Sequence, residues 1–228
     1  MGKATKAIKV TDKRGEKPWL KKIESVYNIE TKNKRKTFLI VCEGQTEEQY
    51  FRAFPVVTAT IKLVPLGTST KMRLVECTEA LCENETYDEV WCVFDMDYDG
   101  DKDGEIEEFN TAIRRCADLS FKCAYSNDAF ELWFVLHYQY LEQQHRRKKF
   151  YELLSKYWDM NYERHGKVKA FSKSIYNRLQ EDKQSNQEKA IAHAEKLFNQ
   201  HRSKPYHHQN PVTLVYQLVT ELNKYLRK

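Results

Sequence analysis

This sequence of 228 residues predicts an α/β fold: a mostly parallel four-stranded sheet flanked by helices, with a helical extension on its C-terminal side. Two observations carry that prediction. Strand-like and helix-like segments alternate as βαβαβαβα from residue 37 to 140, an order that calls for parallel strands joined by crossover helices. The first and third strands, "TFLIVC" and "EVWCVF", are continuous apolar runs, the pattern of strands buried on both faces. In such folds functional residues gather at the C-terminal ends of the strands.

Each element has its own signal. Thr37 to Cys42 is the first strand, closed by Glu43 and Gly44. Thr46 followed by Gln49 matches a capping box, so a helix starts there and runs to Phe54, where Pro55 stops it. "VVTATIKLVPLG" is a second, β-branched strand, and residues 70–85 carry a helical pattern through Met72, Val75, Ala80 and Leu81. "DEVWCVFD" is the third strand, followed by a helix over about 105–118 with Ile106, Phe109, Ile113 and Cys116 on one side. "SFKCAYS" is the fourth strand, and "NDAFELWFVLHYQYL" a helix capped by Asn127 or Asp128. From 141 on the chain reads as wholly helical, with Pro211 in the first turn of the last helix. The expected organisation is a basic N-terminal arm over 1–36, an α/β domain over 37–140 and the helical extension over 141–228.

Composition bounds the function. With 41% hydrophobic and 31% charged residues, the chain has the balance of a soluble globular protein. It lacks the 18 or so consecutive apolar residues of a membrane span and an apolar signal core, so the expectation is a cytoplasmic protein with no membrane partner. Its six cysteines form no CxxC pair, and Cys42, Cys92 and Cys123 sit in apolar runs as small buried hydrophobes, against a disulfide framework or zinc ribbon. The net charge of +5 hides a segregation. Residues 1–36 carry 12 Lys/Arg against 4 Asp/Glu, residues 37–140 carry 8 against 20, and residues 141–228 carry 18 against 9. That pattern suits a centre that binds cations between flanks that bind a polyanion; the alternative is that the flanking bases only solvate helices and a tail.

The acids fall at telling places. Glu43 follows the first strand, and Asp95 and Asp97 end the third, one residue apart, which in extended chain turns both to one side. Glu47 and Glu131 lie just inside the helices after strands one and four. With strands one and three adjacent, these acids converge on one sheet edge, where repulsion is relieved by a divalent cation and hard oxygen ligands select Mg²⁺ or Mn²⁺. The alternative is strand-end acids that solvate loops. The following run, Asp99 to Asp103, matches a calcium loop only in part. Position 12 falls on Ile106 or Asn110 instead of a glutamate, and a strand precedes the loop where an EF-hand has a helix. It reads as an exposed turn, with a Ca²⁺ loop of another type as the alternative.

"FLIVCEGQTEEQYF", "YDEVWCVFDMD", "YSNDAFELWFVLHY" and the late "NPVTLVYQLVTEL" resemble, in this order, the motifs of the RloB-like proteins, over roughly residues 35–222. That family is encoded near bacterial restriction and anti-phage loci, often beside an ATPase, and is similar to the Toprim domains of topoisomerases, primases and OLD-type nucleases. The resemblance implies a Toprim-like sheet in which Glu43, Asp95 and Asp97 hold one or two Mg²⁺ or Mn²⁺ ions. "EGQTE" is similar to the "EGxTE" of OLD nucleases, which brings Glu47 into the metal set, and Glu131 is the implied second-site ligand. Ser126 is implied as a polar neighbour, and Asn127 beside it is a candidate polar site contact. The implied activity is metal-dependent cleavage of nucleic acid in phage defence; a binding module without catalysis and a nucleotidyl transferase are the alternatives. No P-loop GxxxxGK[ST] occurs in the chain, so control by ATP is expected from an ATPase partner. No lysine stands near the motifs, which leaves the stabiliser of the transition state unassigned.

Arg146, Arg147, Lys148 and Lys149, with Tyr151, Tyr157 and Trp158 close by, and then Lys167 and Lys169, mix charge and rings as nucleic-acid surfaces do. The wet face of an amphipathic helix is the alternative. His137 lies about 240° around a helix from Glu131 and four residues from Trp133, so a core histidine is the first reading and a substrate contact the second. His207 and His208 have no partner ligands at metal-binding spacing and read as loop residues.

Overall fold

A computed structural model describes residues 35–67, 70–98 and 103–226. The basic arm, apart from Arg35 and Lys36, and the acidic run 99–102 lie outside the described residues. Four parallel strands form the main sheet: β1 (Lys36–Cys42), β2 (Ala59–Pro65), β3 (Glu89–Val93) and β4 (Lys122–Cys123), in the order β2-β1-β3-β4. β1 is central, and its residues from Phe38 to Cys42 are fully buried, which is why the run is apolar without alternation. β3 lies directly beside it, with Cys42 opposite Val93, and the Glu43 N–H donates to the Val93 carbonyl at 2.9 Å. The first acid is thereby tied to the end of the third strand.

Helices α1 (Gln45–Arg52), α2 (Lys71–Asn84) and α3 (Asp103–Asp118) complete the crossovers. The expected capping box is not formed. Gly44 is the N-cap, in extended backbone, and Thr46 lies inside the helix. A Cβ at Gly44 would stand 2.5 Å from Glu47 Oε2, so the glycine leaves room for that buried carboxylate against the helix start. Three residues in, Glu47 meets the unpaired N–H groups and positive end of α1.

The fourth strand is shorter than expected and changes partner. Beyond β4 the chain stays on β3, with Ala124 N–H donating to Cys92 O at 2.8 Å and Ser126 N–H to Phe94 O at 3.1 Å. Ser126–Asn127 (β5) then pairs antiparallel with Val212–Thr213 (β6). The segment after 141 is therefore not wholly helical, and Pro211 precedes a strand where the first turn of a helix was expected. A two-residue buried strand abutting a helix is invisible to periodicity. The helix after the fourth strand, α4, covers Glu131–Leu136, and neither Asn127 nor Asp128 caps it. Instead Asp95 Oδ2 accepts from Phe130 N–H at 3.2 Å, so a strand-end acid serves the start of α4 from another element.

Helices α5 (Arg147–Tyr157), α6 (Tyr162–His165), α7 (Lys169–Ser172), α8 (Ile175–Glu181), α9 (Gln187–His201) and α10 (Val215–Asn223) follow. The chain from Arg35 on packs as one unit. An aromatic cluster holds α1 to α4: the fully buried Tyr50 ring meets Phe54, Phe130, Phe134 and Tyr176 at centroid distances of 5.4 to 6.0 Å, and Trp133 Nε1 donates to its hydroxyl at 2.8 Å. Such edge-to-face and tilted ring packing fixes α1 against α4, and so Glu47 relative to Glu131. Among the described residues no helix is long and apolar enough to cross a membrane.

Candidate metal centre

Glu43, Asp95 and Asp97 each offer a carboxylate oxygen, and these atoms lie within 4.8 Å of one another. Asp95 and Asp97 do not sit in an extended strand as their spacing predicts. β3 ends at Val93, and Asp97 has φ 52°, in the left-handed region that aspartate tolerates better than most side chains. Its N–H donates to Asp128 O at 3.2 Å, and the Arg147 guanidinium is hydrogen-bonded to its carboxylate. The pair converges through a backbone turn rather than through strand alternation.

A cavity of about 650 Å³ opens over these residues, and Glu47 and Glu131 line it too. All five predicted acids meet there, although the close cluster comprises three of them. Burial raises the Glu43 carboxyl to about 7, and neighbouring Asp95 adds to the rise while Lys71 opposes it. Burial again comes first for Glu47, raised to about 8, with Asp95 the next cause. Glu131 is also raised by burial, against the pull of Lys167. Glu43 and Glu47, which hold protons near neutral pH in one cavity, are donors that a divalent cation can deprotonate and bind.

The expectation that no lysine stands near the motifs is overturned. Lys71 Nζ lies 3.2 Å from Glu43 Oε1, and Lys167 Nζ lies 3.5 Å from Glu131 Oε1. Lys71 is the first residue of α2, and Thr70 caps that helix by accepting from Arg73 N–H. Its position was legible: β2 neighbours β1, so the start of α2 must return to the same rim. Lys167 carried no such signal, because it reaches the rim from the helices after α5. Asp128 was also missed as a site residue. Fully buried, it accepts from Arg147 N–H at 2.9 Å, Tyr98 N–H at 3.3 Å and Arg146 Nη1 at 3.4 Å, tying the end of β3 to the start of α5.

A family model described as RloB-like protein matches residues 38–222, from β1 to α10. The chain belongs to the RloB-like family. No curated protein and no solved structure matches it. In this RloB-like chain the matched span takes in every acid of the cavity together with Lys71, Arg147 and Lys167.

The remaining predicted residues divide. Arg147 lines the acidic cavity, and Lys148 a neighbouring groove that Asp97, Arg146 and Arg147 share. Lys149 pairs with Glu152 at 3.1 Å, and Lys169 is exposed at the start of α7. Ser126, Asn127 and His137 do not line the acidic cavity. Ser126 is buried against Thr213 Oγ1 at 2.8 Å. His137 is buried in the core, its Nδ1 2.9 Å from Trp133 O and its ring edge-on to Trp133. Burial lowers it to about 4, so it is neutral at pH 7. Asn127 faces a second cavity.

Proposed function

We propose that this RloB-like protein is a metal-dependent nuclease with a Toprim-like site, acting as an effector in bacterial anti-phage defence. The observation that supports the reading is the Glu43, Asp95 and Asp97 cluster, its oxygens within 4.8 Å, in a cavity that also holds Lys71, Lys167 and Arg147. Those three acids, with Glu47 and Glu131 in the same cavity, would hold Mg²⁺ or Mn²⁺, which would supply Lewis acidity and activate water. The chain's own residues do the rest. Arg147, with Arg146 and Lys148 in the adjoining groove, orients the phosphodiester backbone. Lys71, largely buried beside Glu43, and Lys167 meet the negative charge that builds on the phosphoryl oxygens, where a fixed cation is worth most. Where the cation is held by Asp95 and Asp97 alone, Glu43, raised to about 7, can instead hold or release a proton at neutral pH and serve as the general acid–base at the reacting oxygen. Control by ATP falls to a separate ATPase subunit.

Incubation of the purified protein with mixed DNA and RNA plus Mn²⁺ tests the reading. Cleavage is expected, and is lost in Glu43→Ala and in Asp95→Ala; undiminished cleavage by both variants would sink it. One observation favours a second reading, a nucleic-acid-binding module without catalysis. Arg147 already neutralises Asp97, and an acid satisfied by a guanidinium has less need of a metal. Salt-sensitive nucleic-acid binding without any cation affinity would support that alternative.

A further inference from the structure

Asp97 sits between two residues, Met96 and Tyr98, that line a different cavity of about 320 Å³, which Ile106, Asn127, Arg146 and His207 also line. A groove lined by Asp97, Tyr98, Arg146 and Arg147 joins it to the acidic cavity. The nuclease reading makes no use of this second cavity.

Its walls carry specific polar chemistry. Asn127 is 1% exposed, and its Nδ2 donates to the carbonyl oxygens of Tyr206 at 3.3 Å and His207 at 3.0 Å. Those two bonds fix the orientation of the amide. Its Oδ1 is buried and has no hydrogen-bond partner among the described residues. A bare buried acceptor is destabilising, and a donor from a ligand would relieve it. Asn110 Oδ1 accepts from the His207 backbone N–H at 3.2 Å, which leaves Asn110 Nδ2 as donor to His207 Nδ1 at 2.9 Å. The ring proton of neutral His207 is thereby assigned to Nε2, a donor. Burial and the adjacent His208 hold that ring below its ordinary pKa, in its neutral form. Arg146 lies 4.0 Å over the Tyr98 ring, with its side chain 56% exposed, so the cation and the ring stand together at the mouth.

We propose that this cavity seats one unstacked nucleobase of the strand whose phosphate lies over Glu43, Asp95 and Asp97, and that it favours a base with an exocyclic amine donating to Asn127 Oδ1. Adenine, cytosine and guanine carry that amine; uracil and thymine do not. The volume is at the small end of ligand pockets, which suits one nucleoside unit. Arg146 takes the attached phosphate, and the Tyr98 and His207 rings flank the base, as single-strand readers combine charge with stacking. The placement of the strand rests on the nuclease reading; the chemistry of the cavity does not.

The test is calorimetric titration of the full chain in EDTA with AMP, CMP, UMP and inorganic phosphate. AMP and CMP are expected to bind roughly fivefold or more tightly than UMP, the worth of one hydrogen bond to a buried acceptor, and phosphate most weakly. Asn127→Ala is expected to erase the preference for the amine. Ile106→Trp, at a half-buried helical position, fills the cavity and abolishes binding, and it keeps the test decisive if Asn127→Ala fails to fold. Equal affinity for CMP and UMP, or binding undisturbed in Ile106→Trp, overturns the proposal. A non-hydrolysable phosphorothioate trinucleotide with one cytosine between uracils, titrated with Mn²⁺ in place of EDTA so that the acids do not repel its phosphate, is expected to bind more tightly than CMP does under the same conditions; equal affinity would assign the cavity to a free nucleotide and overturn the strand placement. Because cleavage is not read, base-selective binding by a protein that cuts nothing in Mn²⁺ sinks the nuclease reading alone.

Discussion

Lys71 and Glu43 meet at 3.2 Å, which joins the first residue of α2 to the first residue after β1 across the rim of the sheet. The contact sets an acid that burial raises to about 7 against a largely buried cation that partly restrains it. Removing the ammonium therefore has two effects, a further rise in the Glu43 pKa and the loss of a fixed positive charge. Lys71→Ala is expected to cut nuclease turnover by about 10²- to 10³-fold and to move the pH–rate profile to higher pH. Single-turnover cleavage across pH 6 to 9 measures both; an unshifted profile with full turnover would remove Lys71 from the mechanism.

Glu47 makes the fold sensitive to pH in a defined direction. Its folded carboxyl is raised to about 8, above the ordinary 4.5, so the folded state keeps a proton that the unfolded chain releases. Stability contributed by that proton is present below about pH 4.5 and is lost as pH rises to 8. Glu47→Gln removes the penalty, and without added cation at pH 8.5 it is expected to be more stable by on the order of 5 kcal/mol. Thermal melts of wild type and variant at pH 5 and 8.5 check this, since the gap should open only at the higher pH.

His137 acts in the opposite sense. Its folded pKa is lowered from 6.5 to about 4 by burial, so the unfolded chain binds the extra proton first. The stability it contributes is complete above pH 6.5 and is lost as pH falls towards 4, by about 3 kcal/mol in all. Denaturant midpoints of His137→Phe are expected to lack that acid slope while cleavage at pH 7.5 stays near wild type. A large loss of activity at full stability would instead give His137 a contact with substrate.

The Arg147 side chain competes for Asp97. Arg147→Ala should tighten Mn²⁺ binding, because Asp97 loses its counter-cation, and weaken nucleic-acid binding together with its salt dependence. Calorimetry for the ion and anisotropy at two salt concentrations separate the effects. Unchanged Mn²⁺ affinity would show that the guanidinium does not hold Asp97 in solution.

Much of the frame was legible in the sequence, for reasons visible in particular residues. Phe38 to Cys42 reads as a central strand because burial on both faces leaves no polar alternation. Glu43 and Asp95 were findable because parallel strands send their C-terminal ends to one rim. Contacts made between distant segments were hidden. Asp128 looked like a helix cap but is a buried tie to α5, and Lys167 reaches Glu131 only through packing. Val212 and Thr213 form a strand too short for any period to reveal.

Binding of a divalent cation by Glu43, Asp95 and Asp97 is the central proposal, and Mn²⁺ titration by calorimetry at pH 7 tests it most directly. Saturable binding is expected, with net release of protons from the raised carboxyls, lost in Asp95→Asn. Absence of saturable binding in the wild type, or the same affinity in Asp95→Asn, would contradict it.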